Sequence, residues 1–181
     1  MRRRWQDELR AVAPRLLGTL GTSGAVAVLG VVTGTIAARL LEPSGRGELA
    51  QLLLWPQLVA TLGTLGVDVA ATYTSADATR RRDVPATLLA LAAVQSLALV
   101  PLYLLLTPLL FGDAAGDGAR MMALLIPAYL IGAYSVNALS GRLRFGAFNL
   151  VRVALPAVYC SIIVALAAAG ELSPHTGALA Y

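Results

Sequence analysis

The chain has 181 residues, of which 57% are hydrophobic and only 13% are charged, whereas an ordinary soluble domain is roughly 25% charged. Its mean hydropathy is +0.72 and its net charge is +4. These values exclude an ordinary water-soluble domain, because one core cannot hide so much apolar surface, and they indicate that lipid surrounds most of the chain. All the basic residues are arginine, and no basic stripe is interleaved with aromatic residues, so we expect no nucleic-acid partner.

Residues 1–15 precede the first apolar segment and are amphipathic. Trp5, Leu9, Val12 and Leu16 fall on one helical face, and arginine and acidic residues occupy the other. This pattern predicts a short helix that lies in the membrane interface.

Five apolar segments follow, and each is long enough, or nearly long enough, to span a bilayer, which takes about 20 residues. They are residues 16–38, 49–73, 84–111, 121–139 and 153–170. The short polar connections between them suit antiparallel neighbours and leave no room for a soluble domain. The sequence therefore predicts an all-α, polytopic membrane helical bundle over residues 16–172. Residues 173–181 are predicted to be the approach to a further helix, at which the sequence stops.

The first connection, RLLEPSGRGE, is predicted to be the turn of a helical hairpin. Pro43 and Gly45 are expected to end the first helix, and Gly47 and Glu48 to begin the second. The charges of this turn are expected to remain in water, because each would cost ~2.5–3.5 kcal/mol at the bilayer centre.

The distribution of arginine predicts which way the bundle faces. Residues 1–15, 75–83 and 140–152 hold eleven of the 14 arginines, and the alternate segments hold only Arg39, Arg46 and Arg120. By the positive-inside rule, this places the N-terminus in the cytoplasm and, after five crossings, the C-terminus outside the cell membrane.

The second apolar segment carries a polar stripe. Gln57, Thr61, Thr64 and Asp68 are spaced so that they share one helix face, and Ser75 continues the row. One interpretation is a cavity wall that contacts a hydrated substrate. The other is packing between helices, with threonine hydroxyls bonded to their own backbone, and we favour it for the threonines. For Gln57 the two interpretations stay open.

Asp68 of this stripe and two further polar residues are candidates for the same cavity. Asp68 lies ~29 Å along the helix from Leu49, near the cytoplasmic interface, where a carboxylate costs little. Asn137 shares a face with Tyr134 and can line the cavity or make a packing hydrogen bond. Arg39 is the cation nearest a helix interior, and an interface anchor is its alternative role.

Sequence patterns for enzymes are lacking. The predicted spans contain no paired carboxylates, no Ser/His/Asp set and no zinc-ligand spacing. One cysteine and one histidine offer neither a disulfide framework nor a metal site. We therefore expect neither an enzyme nor a cofactor.

Three motifs carry a resemblance to a known family. Residues 39–47, RLLEPSGRG, resemble the R-L-L-G-P-x-G-x-G turn of polysaccharide flippases in the multidrug/oligosaccharidyl-lipid/polysaccharide exporter superfamily. Residues 62–68, LGTLGVD, resemble the end of the second helix of those proteins, and residues 141–149, GRLRFGAFN, their cytoplasmic loop between helices four and five. Glu42 stands where the family usually has glycine, and Arg46 where an aromatic residue is common. The resemblance covers essentially the whole chain.

The resemblance implies most of the N-terminal half of a two-lobed transporter, since family members have twelve to fourteen helices with a substrate cavity between two lobes. The full-length relatives flip a lipid-linked oligosaccharide by alternating access, for surface polysaccharide biosynthesis. The partners so implied are membrane lipids, the lipid-linked oligosaccharide, and a second lobe or other polysaccharide-assembly membrane proteins. Two alternatives stay open, a non-catalytic membrane scaffold and a drug/cation antiporter of the same superfamily.

Overall fold

The computed structural model describes residues 2–77, 83–112 and 117–181, with side chains from Leu17 onward. Every regular element in these ranges is helical and none is a strand, which confirms the predicted all-α fold. Four helical stretches are long and apolar enough to cross a membrane, and a bent helix pair makes a fifth candidate span. The chain is therefore a multi-pass membrane helical bundle, as the sequence predicted.

Eight α-helices and one 3₁₀ turn make up the described residues. The 3₁₀ turn, Met122–Leu124, joins the fifth helix to the sixth. The α-helices are α1 (Arg2–Leu40), α2 (Pro43–Gly63), α3 (Val67–Ala76), α4 (Val84–Phe111), α5 (Asp117–Met121), α6 (Leu125–Gly141), α7 (Phe145–Ala169) and α8 (Pro174–Leu179).

Helix α6 is the centre of the bundle, because it packs against α2, α3, α4 and α7. Its Ile126, Leu130 and Tyr134 are almost fully buried. Helix α1 lies apart from this core and packs mainly along α7. It leaves Leu17 and Val31 each 68% exposed, which suits contact with lipid tails.

Some helix ends differ from the sequence prediction. Helix α1 runs without interruption from Arg2 to Leu40, so from Arg2 onward the predicted interfacial segment continues directly into the first span. Helix α2 begins at Pro43 itself, because the first helical position needs no N–H donor and the fixed φ of proline suits it. Helix α7 begins at Phe145, eight residues before the predicted span, since the loop before it closes with two hydrogen bonds, from Leu143 N to Ser140 O and from Arg144 N to Leu139 O.

The predicted helix 49–73 is broken in the structure. Helices α2 and α3 meet at an angle of 57° across Thr64–Gly66. Leu65 has φ +48° and Gly66 φ +80°, both in the left-handed region, and glycine adopts such a φ without a steric penalty. Gly63 allows the break to lie against α4, because a Cβ at this position would overlap the side chain of Leu99.

The last residues of the chain also fold back onto the bundle. Ser173 and Thr176 form a capping box that begins α8, with the Thr176 backbone N–H donating to Ser173 Oγ at 3.1 Å. Helix α8 packs against α2, where Gly177 lies beside Leu49 and Ile163. This packing directs the final residue, Tyr181, towards α6 and α7.

Candidate functional site

A side chain from α4 satisfies the backbone where the second span is broken. Gln95 Nε2 donates a hydrogen bond of 3.1 Å to the carbonyl oxygen of Gly63, the last residue of α2. The hydroxyl of Tyr134, on α6, donates in turn to Gln95 Oε1. One glutamine thus joins three helices at the depth of the break.

The residues of the break satisfy further backbone groups. Thr64 Oγ1 donates to Thr61 O at 2.9 Å, and the N–H of Val67 donates to Thr64 O at 2.8 Å. In hydrocarbon each backbone group left without a partner costs several kcal/mol, so a non-helical stretch persists only where protein or water covers it. The break is therefore a specific, hydrogen-bonded part of the fold rather than a frayed helix end.

A cavity of 330 Å³ opens beside the break, between α2 and α6. Its polar lining comes from Gln57 and Thr61 on α2, Thr64 in the break, Tyr129 on α6, and Tyr181. The remaining lining residues are apolar or glycine, and among the described residues no charged side chain lines the cavity. We call it the tyrosine cavity.

Tyrosine rings form one wall of this cavity. The ring of Tyr181 lies 5.8 Å from that of Tyr129, tilted by 41°, and 5.0 Å from that of Tyr159 on α7 in an edge-to-face arrangement. These are the separations at which aromatic pairs attract each other. Through these ring contacts Tyr181 packs against both α6 and α7.

Two other cavities lie near the break, and their linings are less polar. One of 280 Å³ separates α4 from α6, and one of 340 Å³ separates α3 from α4. Aliphatic side chains and alanines make up most of both linings. The tyrosine cavity is the one that holds the amide of Gln57 and two tyrosine rings.

The structure brings together three of the six candidate residues named from the sequence. Gln57, Thr61 and Thr64 line the tyrosine cavity, and the first two are exposed towards it. Thr64 also makes the backbone hydrogen bond that the packing interpretation predicts. The stripe does not continue past Thr64, because the break turns α3 away, and Ser75 is fully buried there.

The other three candidates lie elsewhere. Asp68 is half-buried in the first turn of α3, where a helix N-terminus favours an acid. Asn137 lies between α3 and α6, where Thr72 Oγ1 donates to its Oδ1 at 3.3 Å, which is the packing alternative. Arg39 is exposed in the last turn of α1 and does not line the tyrosine cavity.

Sequence reasoning missed Gln95 and the tyrosine wall. A signal for Gln95 was present, because it is the only amide side chain within the long apolar run of α4, and intramembrane polar residues mark functional or bridging positions. No local sequence pattern predicts the tyrosine wall, because Tyr181 reaches Tyr129 and Tyr159 only through the packing of α8.

Comparison of the chain with protein-family models, with curated proteins and with solved structures finds no match. What the chain does is therefore inferred from its own residues.

Proposed function

We propose that the chain is a membrane transport protein, one lobe of a flippase that moves a lipid-linked oligosaccharide across the cell membrane for surface polysaccharide biosynthesis. The observation that carries this proposal is the pairing of a broken span with a polar cavity. Discontinuous helices beside a cavity are a recurrent way for transporters to form substrate sites within the bilayer.

The cavity favours transport over a scaffold. Gln57 and Thr61 are exposed on α2, the first half of the bent pair that makes the fifth candidate span, and polar side chains within a bilayer require a hydrated cavity or a polar partner. A scaffold needs only apolar helix contacts and gains nothing from an exposed amide at this depth. A transporter uses such groups to replace the water that its substrate loses.

The proposal includes an orientation and a second lobe. The arginine distribution supports a cytoplasmic N-terminus and an external C-terminus in the cytoplasmic membrane. The tyrosine cavity lies between α2 and α6, and the proposal adds a second helical lobe to cover it, a role that a second copy of the chain would fill in the vesicle test. A reporter fused after Tyr181 is expected to be active only outside the cytoplasm, and cytoplasmic activity would contradict this orientation.

Reconstituted vesicles test the transport proposal. The probe is a fluorescent farnesyl diphosphate that carries one N-acetylglucosamine or one glucose, and a membrane-impermeant quencher reports the leaflet that it occupies. At two protein-to-lipid ratios, the chain is expected to expose the inner-leaflet probe to the quencher, whereas labelled phosphatidylcholine stays protected. Exchange of both glycosylated probes no faster than in protein-free vesicles, or equal exchange of phosphatidylcholine, contradicts the proposal.

A second candidate, a drug/cation antiporter, is favoured by one specific observation. Asp68 is a half-buried carboxylate in the first turn of α3, directly after the break. An antiporter requires such an acid to exchange its cation, so Asp68→Asn would abolish ethidium transport driven by a proton or sodium gradient. A flippase of neutral glycans is expected to tolerate this change within about twofold, since Asp68 does not line the tyrosine cavity.

A further inference from the structure

We infer that the tyrosine cavity binds the uncharged sugar of the transported lipid and not its diphosphate. The inference rests on the proposed function for the nature of the lipid carrier. The sugar-binding role itself rests on the cavity's own chemistry, which combines an amide, hydroxyls and two tyrosine rings.

The polar groups of the cavity suit a ligand that carries hydroxyl groups. The amide of Gln57 offers both donors and an acceptor, and the hydroxyls of Thr61 and Tyr181 can each donate or accept. A sugar hydroxyl also donates and accepts, so it can pair with any of these groups. The volume of 330 Å³ lies at the lower end of the range for small-molecule sites.

The tyrosine rings provide the second element of a sugar site. A pyranose has an apolar face of C–H groups as well as polar edges, and an aromatic ring packs against such a face. Tyr129 and Tyr181 both line the cavity, and the edge-to-face contact with Tyr159 holds the Tyr181 ring in place. The cavity thus combines flat apolar surface with hydrogen-bonding groups at its border.

Charge excludes the diphosphate from this cavity. A phosphate taken out of water needs cationic or multiple N–H partners, because an unpaired charge in a low-dielectric site is strongly disfavoured. Among the described residues, the cavity is lined by no arginine and no other charged side chain. Arg39 and Arg46 lie instead at the α1–α2 connection, where the headgroup region would hold a diphosphate.

Gly132 offers a direct way to fill the cavity. It lines the cavity on α6, and a Cβ built there meets no atom within 4 Å. Gly132→Leu is therefore expected to occupy the open volume without displacing a neighbouring helix. Gly24→Leu is the matched control, because Gly24 is also an open position within a spanning helix, on α1.

The test measures equilibrium binding to the whole chain in nanodiscs. Five probes are compared, namely farnesyl diphosphate carrying N-acetylglucosamine, the same lipid carrying glucose, farnesyl diphosphate without sugar, and the methyl glycosides of the two sugars. We expect at least one glycosylated lipid to bind about tenfold more tightly than the sugar-free lipid, a difference of 1.4 kcal/mol. Gly132→Leu and Gln57→Leu should remove this difference, and Gly24→Leu should keep it.

The outcomes separate this inference from the proposed function. Equal affinity for glycosylated and sugar-free lipids, or a difference that survives Gly132→Leu, overturns the inference even where vesicle transport succeeds. Methyl glycoside binding that Gly132→Leu abolishes supports the inference even where transport of the lipid fails. Loss of folding in Gly132→Leu is checked by its thermal unfolding, and Gln57→Leu with Thr61→Val then serves as the deciding variant.

Discussion

Replacement of Gln95 by leucine tests whether the break in the second span depends on a single side chain. Leucine keeps a similar length and removes both the donor to Gly63 O and the acceptor for Tyr134. The change therefore leaves a backbone carbonyl and a tyrosine hydroxyl without their partner, while the shape of α4 is nearly preserved. Both groups lie where little water reaches them, since Tyr134 is only 2% exposed and Gly63 is buried.

The magnitude follows from the two hydrogen bonds that are lost. Side-chain hydrogen bonds between membrane helices contribute ~0.6 kcal/mol on average and up to ~1.7 kcal/mol. The loss of both hydrogen bonds should cost an amount in the upper part of this range, because the Gly63 carbonyl lies at the end of α2 and has no helical N–H as an alternative donor. We expect Gln95→Leu to lower the free energy of unfolding by about 1–3 kcal/mol.

Unfolding in mixed micelles, followed by circular dichroism, measures this loss. Ser96→Ala is the control, since Ser96 Oγ bonds only to its own helix at Ala92 O, 2.7 Å away, and its loss should cost less than ~0.5 kcal/mol. Tyr134→Phe removes one of the two bonds and should cost about half as much as Gln95→Leu. The double variant should show a coupling of about 0.5–1 kcal/mol between the two positions.

One result would refute the reasoning. If Gln95→Leu is as stable as the unmodified chain, and its effect adds independently to that of Tyr134→Phe, the break does not depend on the glutamine. The carbonyl of Gly63 would then find another partner, such as water from the cavity.

Three other substitutions test backbone geometry at separate places. Gly66→Ala places a Cβ at φ +80° and should lower the free energy of unfolding by about 1–2 kcal/mol. Gly132→Ala, at an open helical position, should not lower it. Equal effects of the two substitutions would contradict the left-handed geometry of Gly66. Gly141→Ala would place a Cβ against the backbone carbonyl of Thr72 and should push α3 away from α6, which should lower the free energy of unfolding by about 1–3 kcal/mol. The unfolding midpoint of this variant should therefore be lower than that of Gly132→Ala. Ser173→Ala removes a capping box and should cost about 1 kcal/mol, so amide exchange over α8 should quicken while that of α4 stays unchanged.

The sequence predicted the helices of this bundle better than their contacts. Apolar length alone predicted the four long apolar helices and the region of the bent pair that makes a fifth candidate span, because a lipid-facing helix needs little beyond about 20 apolar residues. The break at Gly66 was missed, although Gly63 and Gly66 lie within the motif that suggested the family. Two glycines in a membrane helix are compatible with a straight helix, and only the approach of Leu99 and Gln95 from α4 shows otherwise.

The candidate site was likewise predicted only in part. Helical periodicity placed Gln57, Thr61 and Thr64 on one face, and these three line one cavity. The same periodicity wrongly carried the stripe on to Ser75, because it assumed one straight helix. The tyrosine wall depends on how α8 returns to the bundle, which is a tertiary contact that no spacing along the chain encodes.

The pairing of α1 with α7 has a consequence for biosynthesis. About 100 residues separate the two helices, so at ~5–20 residues per second the ribosome needs roughly 5–20 s to supply the partner of the first helix. During that interval α1 resides in the bilayer without its main neighbour. The hydroxyls of Thr22 and Thr35 need no partner from another helix during this interval, because they donate to the carbonyls of Gly18 and Val31 on α1 itself. Helix α1 thus satisfies these hydroxyls by itself until α7 leaves the translocon and packs along it.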